Sequence, residues 1–193
     1  NIPDPYKLIL FHEGNIPISD QTYIQDNSPE KIKFVDVGEI FRKYKNVDGY
    51  KIMCKFQMYY LWNYVKEFDY VIRIDEDILV ENFDKNTIPK MENKKIDFYY
   101  SKLSYESHVP TNNSLPKFIK ELYKLNNTKF YNHLFPYTNF YISRTNIWRK
   151  EPVYSKLKII AECGEQENFR WGDLPVLGCI LKIENMNTKR LKN

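Results

Sequence analysis

The apolar and polar positions of this chain switch between two periods, and the switching sketches its elements. Lys7-Leu8-Ile9-Leu10-Phe11 is a short apolar run that ends in the polar turn His12-Glu13-Gly14-Asn15, the pattern of a buried strand. Residues 32–37 alternate and predict a second strand. Residues 39–44 predict a short helix, and Asp48-Gly49 a turn. Met53, Phe56, Tyr60 and Tyr64 recur at spacings of three and four, so 51–67 reads as an amphipathic helix with that stripe inward. Tyr70, Val71, Ile72 and Ile74 read as a buried strand that stops at Asp75-Glu76-Asp77. Residues 96–100 and 139–143 read as further strands. Helices are expected over about 114–125, 145–149 and 155–163, with Gly164 as a stop. A last helix runs over 173–180, with Asp173 as its cap and Pro175 in its first turn. Residues 101–116 and 164–173 read as loops bordering a cleft. Early alternation of strands and helices gives an α/β fold with a mostly parallel central sheet flanked by helices.

The chemistry concentrates at the end of the third strand. Asp75 and Asp77 would sit at its carboxyl end, where open α/β sheets bind ligands. Alternation along an extended chain would point both to one side. Two hard oxygen ligands on one side suit Mg²⁺ or Mn²⁺ that also holds a diphosphate. The plain alternative is an acidic strand end in a solvated loop.

Composition narrows the partners. The 193 residues fit one domain with no linker, repeat or low-complexity stretch. A net charge of +4 fits an anionic substrate, but the basic residues alternate with acids, which excludes a nucleic-acid footprint. No apolar stretch is long enough to span a membrane, and no signal peptide is read. Three cysteines, Cys54, Cys163 and Cys179, without C-x-x-C spacing argue against a zinc site or a disulfide framework. They are expected to be reduced core residues of a cytoplasmic protein, with one disulfide left open.

Three segments go beyond spacing. Gly49-Tyr50-Lys51-Ile52-Met53-Cys54-Lys55-Phe56 resembles the G-Y-R-x-M-C-R-F segment of the fungal α-1,2-mannosyltransferase family. Tyr70 to Asp77 lies where that family has W-R-V-E-P-D, and Arg170-Trp171-Gly172-Asp173-Leu174-Pro175-Val176 is similar to its R-W-G-D-A-P-V. Asn139-Phe140-Tyr141-Ile142 and Ile147-Trp148-Arg149 resemble its N-F-E-I and F-W-R. Order and spacing agree over residues 49–177, about two thirds of the chain. In size and composition the chain also resembles, more weakly, the glycosyltransferase domains of large algal viruses.

The resemblance implies a GT-A fold and a metal-dependent glycosyltransferase. The donor part would cover about 1–100 and the acceptor and catalytic part about 101–193. The weaker viral resemblance implies a UDP-sugar donor and, for a viral protein, the host cytoplasm. The fungal one implies GDP-mannose as the alternative. The acceptor would be a hydroxyl of a glycan or glycoprotein, and the chain a monomer or part of a larger multidomain protein. Mn²⁺ or Mg²⁺ would be held by Asp77 and Asp75, with Asp75 also near the ribose and Glu76 near the donor sugar. His12, Glu13 and Gly14 would hold the base and ribose. Lys51 and Lys55, four apart on one helix face, would reach the diphosphate. Trp171 would stack a sugar ring, while Trp62 and Trp148 read as core. Asp173 is the expected general base, with Glu165 and Glu167 as alternates. Two departures stand out. Tyr141 replaces the glutamate considered as the family's nucleophile, which favours single displacement, and no histidine follows His133 where the family places a metal ligand. A nucleotidyltransferase would need a Gly-rich basic loop after the first strand, and a non-catalytic carbohydrate-binding protein would need neither acidic motif nor R-W-G-D loop.

Overall fold

The computed structural model describes residues 6–80 and 83–191. The chain divides into two compact units, residues 1–52 and 53–193. The division falls inside a helix, Gly49–Lys55.

In the N-terminal unit, β1 (Leu8–His12) and β2 (Ile32–Asp36) pair in parallel, with His12 opposite Asp36. Between them runs α1 (Ile18–Asp26), which the sequence reading missed because it buries no residue and so shows no apolar stripe. The chain continues from β2 into α2 (Gly38–Lys43). The ends of the two strands interlock. Val37 N–H donates to the His12 carbonyl at 2.8 Å, and Gly38 N–H donates to Asp36 Oδ1 at 2.7 Å. A Cβ on Gly38 would stand 2.5 Å from the Glu13 carbonyl oxygen, so only glycine lets the two loops approach this closely.

The helix α3 (Gly49–Lys55) runs into a π-helical segment, Phe56–Tyr60, and then α4 (Leu61–Tyr64). The wider turn rotates the downstream face. Phe56 of the expected stripe is buried, together with Met58, Tyr59, Leu61 and Trp62, while Met53, Tyr60 and Tyr64 of that stripe are only half-buried.

The C-terminal unit holds a four-stranded sheet in the order β3-β7-β4-β8. It is built from β3 (Tyr70–Ile74), β4 (Phe98–Tyr100), β7 (Phe140–Arg144) and β8 (Thr188–Arg190). β7 runs antiparallel to both β3 and β4, and β8 parallel to β4, so this sheet is mixed where a mostly parallel one was expected. A separate antiparallel pair joins β5 (Leu103–Tyr105) to β6 (Leu134–Pro136). The helices are α5 (Thr87–Asn93), α6 (Val109–Leu122), α7 (Asn146–Arg149), α8 (Val153–Glu162), α9 (Glu165–Phe169) and α10 (Asp173–Ile183).

The core of this unit is aromatic. Trp62 stacks on Trp148 at 5.2 Å, and Phe98 packs on both Tyr141 and Trp148. Both indole N–H groups are satisfied, Trp148 by Ser143 Oγ at 2.7 Å and Trp62 by the Met58 carbonyl at 3.0 Å. Cys54 and Cys179 are buried core thiols, as expected, but Cys163 is exposed, and none of the three forms a disulfide among the described residues. Among the described residues no helix is long and apolar enough to cross a membrane.

Candidate active site

Strand β3 inverts the expected burial. Arg73 is 9% exposed, while Ile74 beyond it is half-exposed. Arg73 stands directly across from Tyr141 on β7, with its guanidinium 5.9 Å from the phenol ring centroid. An arginine placed here needs counter-charges, and two converge on it. Asp75 Oδ1 accepts from both Nε and NH2 at 2.9 Å. Asp173 Oδ2, which arrives from the first residue of α10 and is 6% exposed, accepts from NH1 at 2.5 Å. One guanidinium thus binds two carboxylates 98 residues apart in the chain (173 − 75), the forked geometry for which arginine is suited. Burial alone would lower the guanidinium's pKa, but Asp173, Tyr141 and Asp75 together outweigh it and raise it. For Asp75, burial outweighs the pull of Arg73, and its carboxyl titrates above the usual range. Tyr141 is fully buried, its hydroxyl has no hydrogen-bond partner among the described residues, and burial raises its pKa against the opposing charge of Arg73.

The D-x-D segment itself is a turn. Asp75 N–H donates to the Asn139 carbonyl at 2.9 Å, adding one rung beyond β3, and the Asp75 carbonyl accepts from Ile78 N–H at 3.0 Å. Glu76 and Asp77 are the exposed central residues of that turn. The expectation that Asp75 and Asp77 share one side of an extended chain is corrected accordingly. Turn geometry, not strand alternation, governs where they point. The carboxylates still fit a hard divalent cation by donor type. Among the described residues no group of three His, Cys, Asp or Glu side chains is gathered to cage a metal. Asp75 and Asp77 would therefore supply only part of a coordination shell, with diphosphate and water completing it, the manner in which Mg²⁺-type ions are usually held.

The loop that delivers Asp173 is fixed from two sides. Gln166, buried in α9, donates to the Trp171 carbonyl at 3.0 Å, and its own carbonyl accepts from Trp171 N–H at 3.1 Å. Thr111 of α6 bonds the Phe169 and Arg170 carbonyls at 3.1 and 3.2 Å. Arg170 takes a left-handed conformation, φ 55°, which turns the chain from α9 toward α10.

Four expected site residues are placed elsewhere. Lys55 is fully buried, its ammonium bound to Glu167 and to the Ala161 carbonyl, so it does not reach out to a diphosphate. Glu167 is thereby its counter-ion and no longer an alternate base. Trp171 is 1% exposed, packed by Phe118 and Phe169, with its indole N–H on Ser114 Oγ at 2.8 Å. It is core and offers no open face to a sugar. Glu165 opens α9 and lines a groove along α6, apart from the contacts that gather Arg73, Asp75 and Asp173. Asp173 is placed at the cluster, but as the ion-pair partner of a buried guanidinium.

His12, Glu13, Gly14 and Lys51 lie in the N-terminal unit. There the Gly14 N–H donates to His12 Nδ1 at 3.2 Å, and Gly14 has φ +82°. This forms a tight loop at the carboxyl ends of β1 and β2. The sequence reading missed Arg73 and Tyr141 as site residues. The signal was present, since an arginine interrupts an otherwise apolar strand where the family motif W-R-V-E-P-D also has one.

No family model matches this chain. A probable mannosyltransferase of Saccharomyces cerevisiae, KTR3, is 30% identical over 162 residues, covering 75% of this chain and 40% of that protein. The glycolipid 2-alpha-mannosyltransferase of the same yeast is 26% identical over 155 residues, covering 69% of this chain and 34% of that protein. The chain therefore spans well under half the length of these curated relatives. Among solved structures, core-mannan synthase A of Aspergillus fumigatus in its Mn/GDP form matches 96% of this chain and 64% of its own, with a TM-score of 0.73 at 16% identity. Mannosyltransferase Ktr4p of S. cerevisiae in complex with GDP also gives 0.73, over 95% of this chain and 59% of its own, at 17% identity. The chain has the GT-A fold of glycosyltransferases and resembles the fungal mannosyltransferases in sequence. The expected UDP-sugar donor and viral setting find no support, because these curated relatives are fungal and the two structures just named contain GDP.

Proposed function

We propose that this chain is a mannosyl-transferring module that takes its sugar from GDP-mannose, with Mn²⁺, and passes it to a hydroxyl of a glycan. The observation that carries this reading is the convergence of Asp75 and Asp173 on buried Arg73 at the carboxyl end of β3, in a chain similar to mannosyltransferases. The diphosphate end of the donor belongs at the Asp75–Ile78 turn. Asp75 and Asp77 would hold a divalent cation there, and the cation would supply positive charge opposite the departing diphosphate. Arg73 neutralises Asp75 and Asp173 in one plane and fixes their directions, so neither must reorganise when substrates arrive. Asp173, held by one oxygen, has its second to accept the hydrogen of the incoming hydroxyl and aim it at the sugar. Tyr141, a buried phenol whose proton is firmly held, does not replace the carboxylate nucleophile of the family motif, so transfer through a covalent intermediate at this position is disfavoured.

A thermal-shift panel of GDP, GDP-mannose, UDP and UDP-glucose, each with and without Mn²⁺, tests the donor. At 100 times Kd, ligand binding stabilises by about 2.7 kcal/mol, which raises Tm by roughly 5–11 °C for a protein of this size. A Mn²⁺-dependent rise with the guanine nucleotides alone is expected. A rise with UDP instead would restore the uridine donor, and no rise with any would remove the transferase reading for this chain.

A further inference from the structure

A groove runs along one face of α6, away from the Arg73 cluster. Pro110, Asn113, Ser114, Lys117, Phe118 and Glu121 recur at spacings of three and four and form its length. Glu165 and Phe169 of α9 form the opposite wall. The groove encloses about 530 Å³, inside the range of about 300–1,000 Å³ of small-molecule sites.

Its base is rigid and aromatic. Phe118 and Phe169 are half-buried, each packed on Trp171, at 4.9 and 6.4 Å between ring centroids. Trp171 is anchored through its indole N–H to Ser114 Oγ, which itself donates to the Pro110 carbonyl at 2.6 Å. Thr111 ties the two walls together through the Phe169 and Arg170 carbonyls. Above this base stand an amide, an ammonium and two carboxylates: Asn113, Lys117, Glu121 and Glu165. None of the four side chains makes a hydrogen bond or ion pair among the described residues. Together they carry one net negative charge, which is unsuited to a nucleotide or any other anion. A mixture of free donors and acceptors over half-open aromatic rings instead matches the alternating hydroxyls and C–H faces of a neutral sugar.

Position adds the second argument. Phe169 and Asp173 are four residues apart, so at most about 14 Å of chain separates this wall from the carboxylate beside Arg73. We infer that the groove between α6 and α9 is a binding subsite for the neutral oligosaccharide acceptor, holding sugar units beyond the one whose hydroxyl reacts. The inference rests on the transferase reading for its purpose, but not for the binding itself.

NMR titration of the full chain with an α-linked mannose trisaccharide, and separately with GDP and Mn²⁺, tests it. The trisaccharide is expected to shift resonances of Phe118, Phe169 and their neighbours, and GDP to leave them unmoved. Asn113→Trp, at an exposed helix position, should block the groove and weaken trisaccharide binding at least tenfold. Phe118→Leu, which preserves bulk against Trp171, should weaken it about three- to tenfold, as loss of an aromatic face does. Both should keep the wild-type response to GDP and Mn²⁺. Trisaccharide shifts lying elsewhere, or wild-type titration by both variants, would overturn the inference. Absence of any response to GDP while the groove still binds sugar would count against the transferase reading and leave the subsite standing.

Discussion

Replacing Arg73 with methionine isolates the interaction on which the site is built. Methionine keeps much of the length and apolar stem of arginine but removes the charge and all donors. Asp173 is then left buried with no counter-charge, and half-buried Asp75 loses both of its guanidinium bonds. Breaking a buried pair from one side costs about 3–5 kcal/mol, because the remaining charge keeps its desolvation penalty. At about 2–4 °C per kcal/mol for a protein of this size, Tm should fall by roughly 6–20 °C at pH 7. A second variant separates the lost ion pair from lost packing. Arg73→Met with Asp173→Leu removes the stranded carboxylate as well, and should recover a large part of the fall. Arg73→Lys retains the charge without the fork, and should lie between wild type and Arg73→Met. The assay is thermal unfolding followed by circular dichroism, with urea unfolding as a check on the m-value. A Tm for Arg73→Met within about 2 °C of wild type, or a double variant no more stable than the single one, would refute the account of this cluster.

Asp77→Ala should leave stability within about 0.5 kcal/mol of wild type, because the side chain is an exposed turn residue. The same variant should abolish the Mn²⁺-dependent part of GDP binding, measured by calorimetry with and without the metal. Lys55→Met should destabilise by about 3 kcal/mol or more by stranding Glu167, and a Lys55→Met/Glu167→Leu pair melting like wild type would confirm a structural ion pair. Lys182 is held below the ordinary lysine value by burial. The folded state therefore binds fewer protons than the unfolded state between that lowered value and about 10.4, and its contribution to stability rises with pH through this window. Urea unfolding of wild type and Lys182→Gln at neutral and alkaline pH should show the wild type gaining on the variant as pH rises, and parallel curves would contradict the burial argument.

Much of the secondary structure was legible because it is written in local periodicity. β1, β2, β3 and β7 and the helices α2, α7, α8 and α10 fall within two or three residues of their expected places. The elements that were missed lack a local signal. α1 has no buried face, α5 and α9 are short helices of seven and five residues, the latter in a stretch read as a loop, and β5, β6 and β8 have three residues each, too few to show a period and held by partners far along the chain. The long helix was foreseen, but of its expected inward face only Phe56 is buried, because a π-helical turn is a change of phase that a 3.6-residue stripe does not anticipate.

For the site, the sequence by itself determined that acidic residues close a strand at Asp75-Glu76-Asp77 and that Asp173 opens a helix after an Arg-Trp-Gly turn. Those facts are local, and motif order was enough to point to a GT-A glycosyltransferase. Only tertiary structure decided which charges are spent on one another. Arg73 meets Asp173 across 100 residues of chain, and Lys55 meets Glu167 across 112. A lysine on a helix looks the same in sequence whether it faces solvent or a buried carboxylate, and a tryptophan looks the same whether its ring is open or packed. The desolvation that separates those cases comes from elements brought together by folding, and it turned Lys55 and Trp171 into scaffold and Arg73 into the centre of the site.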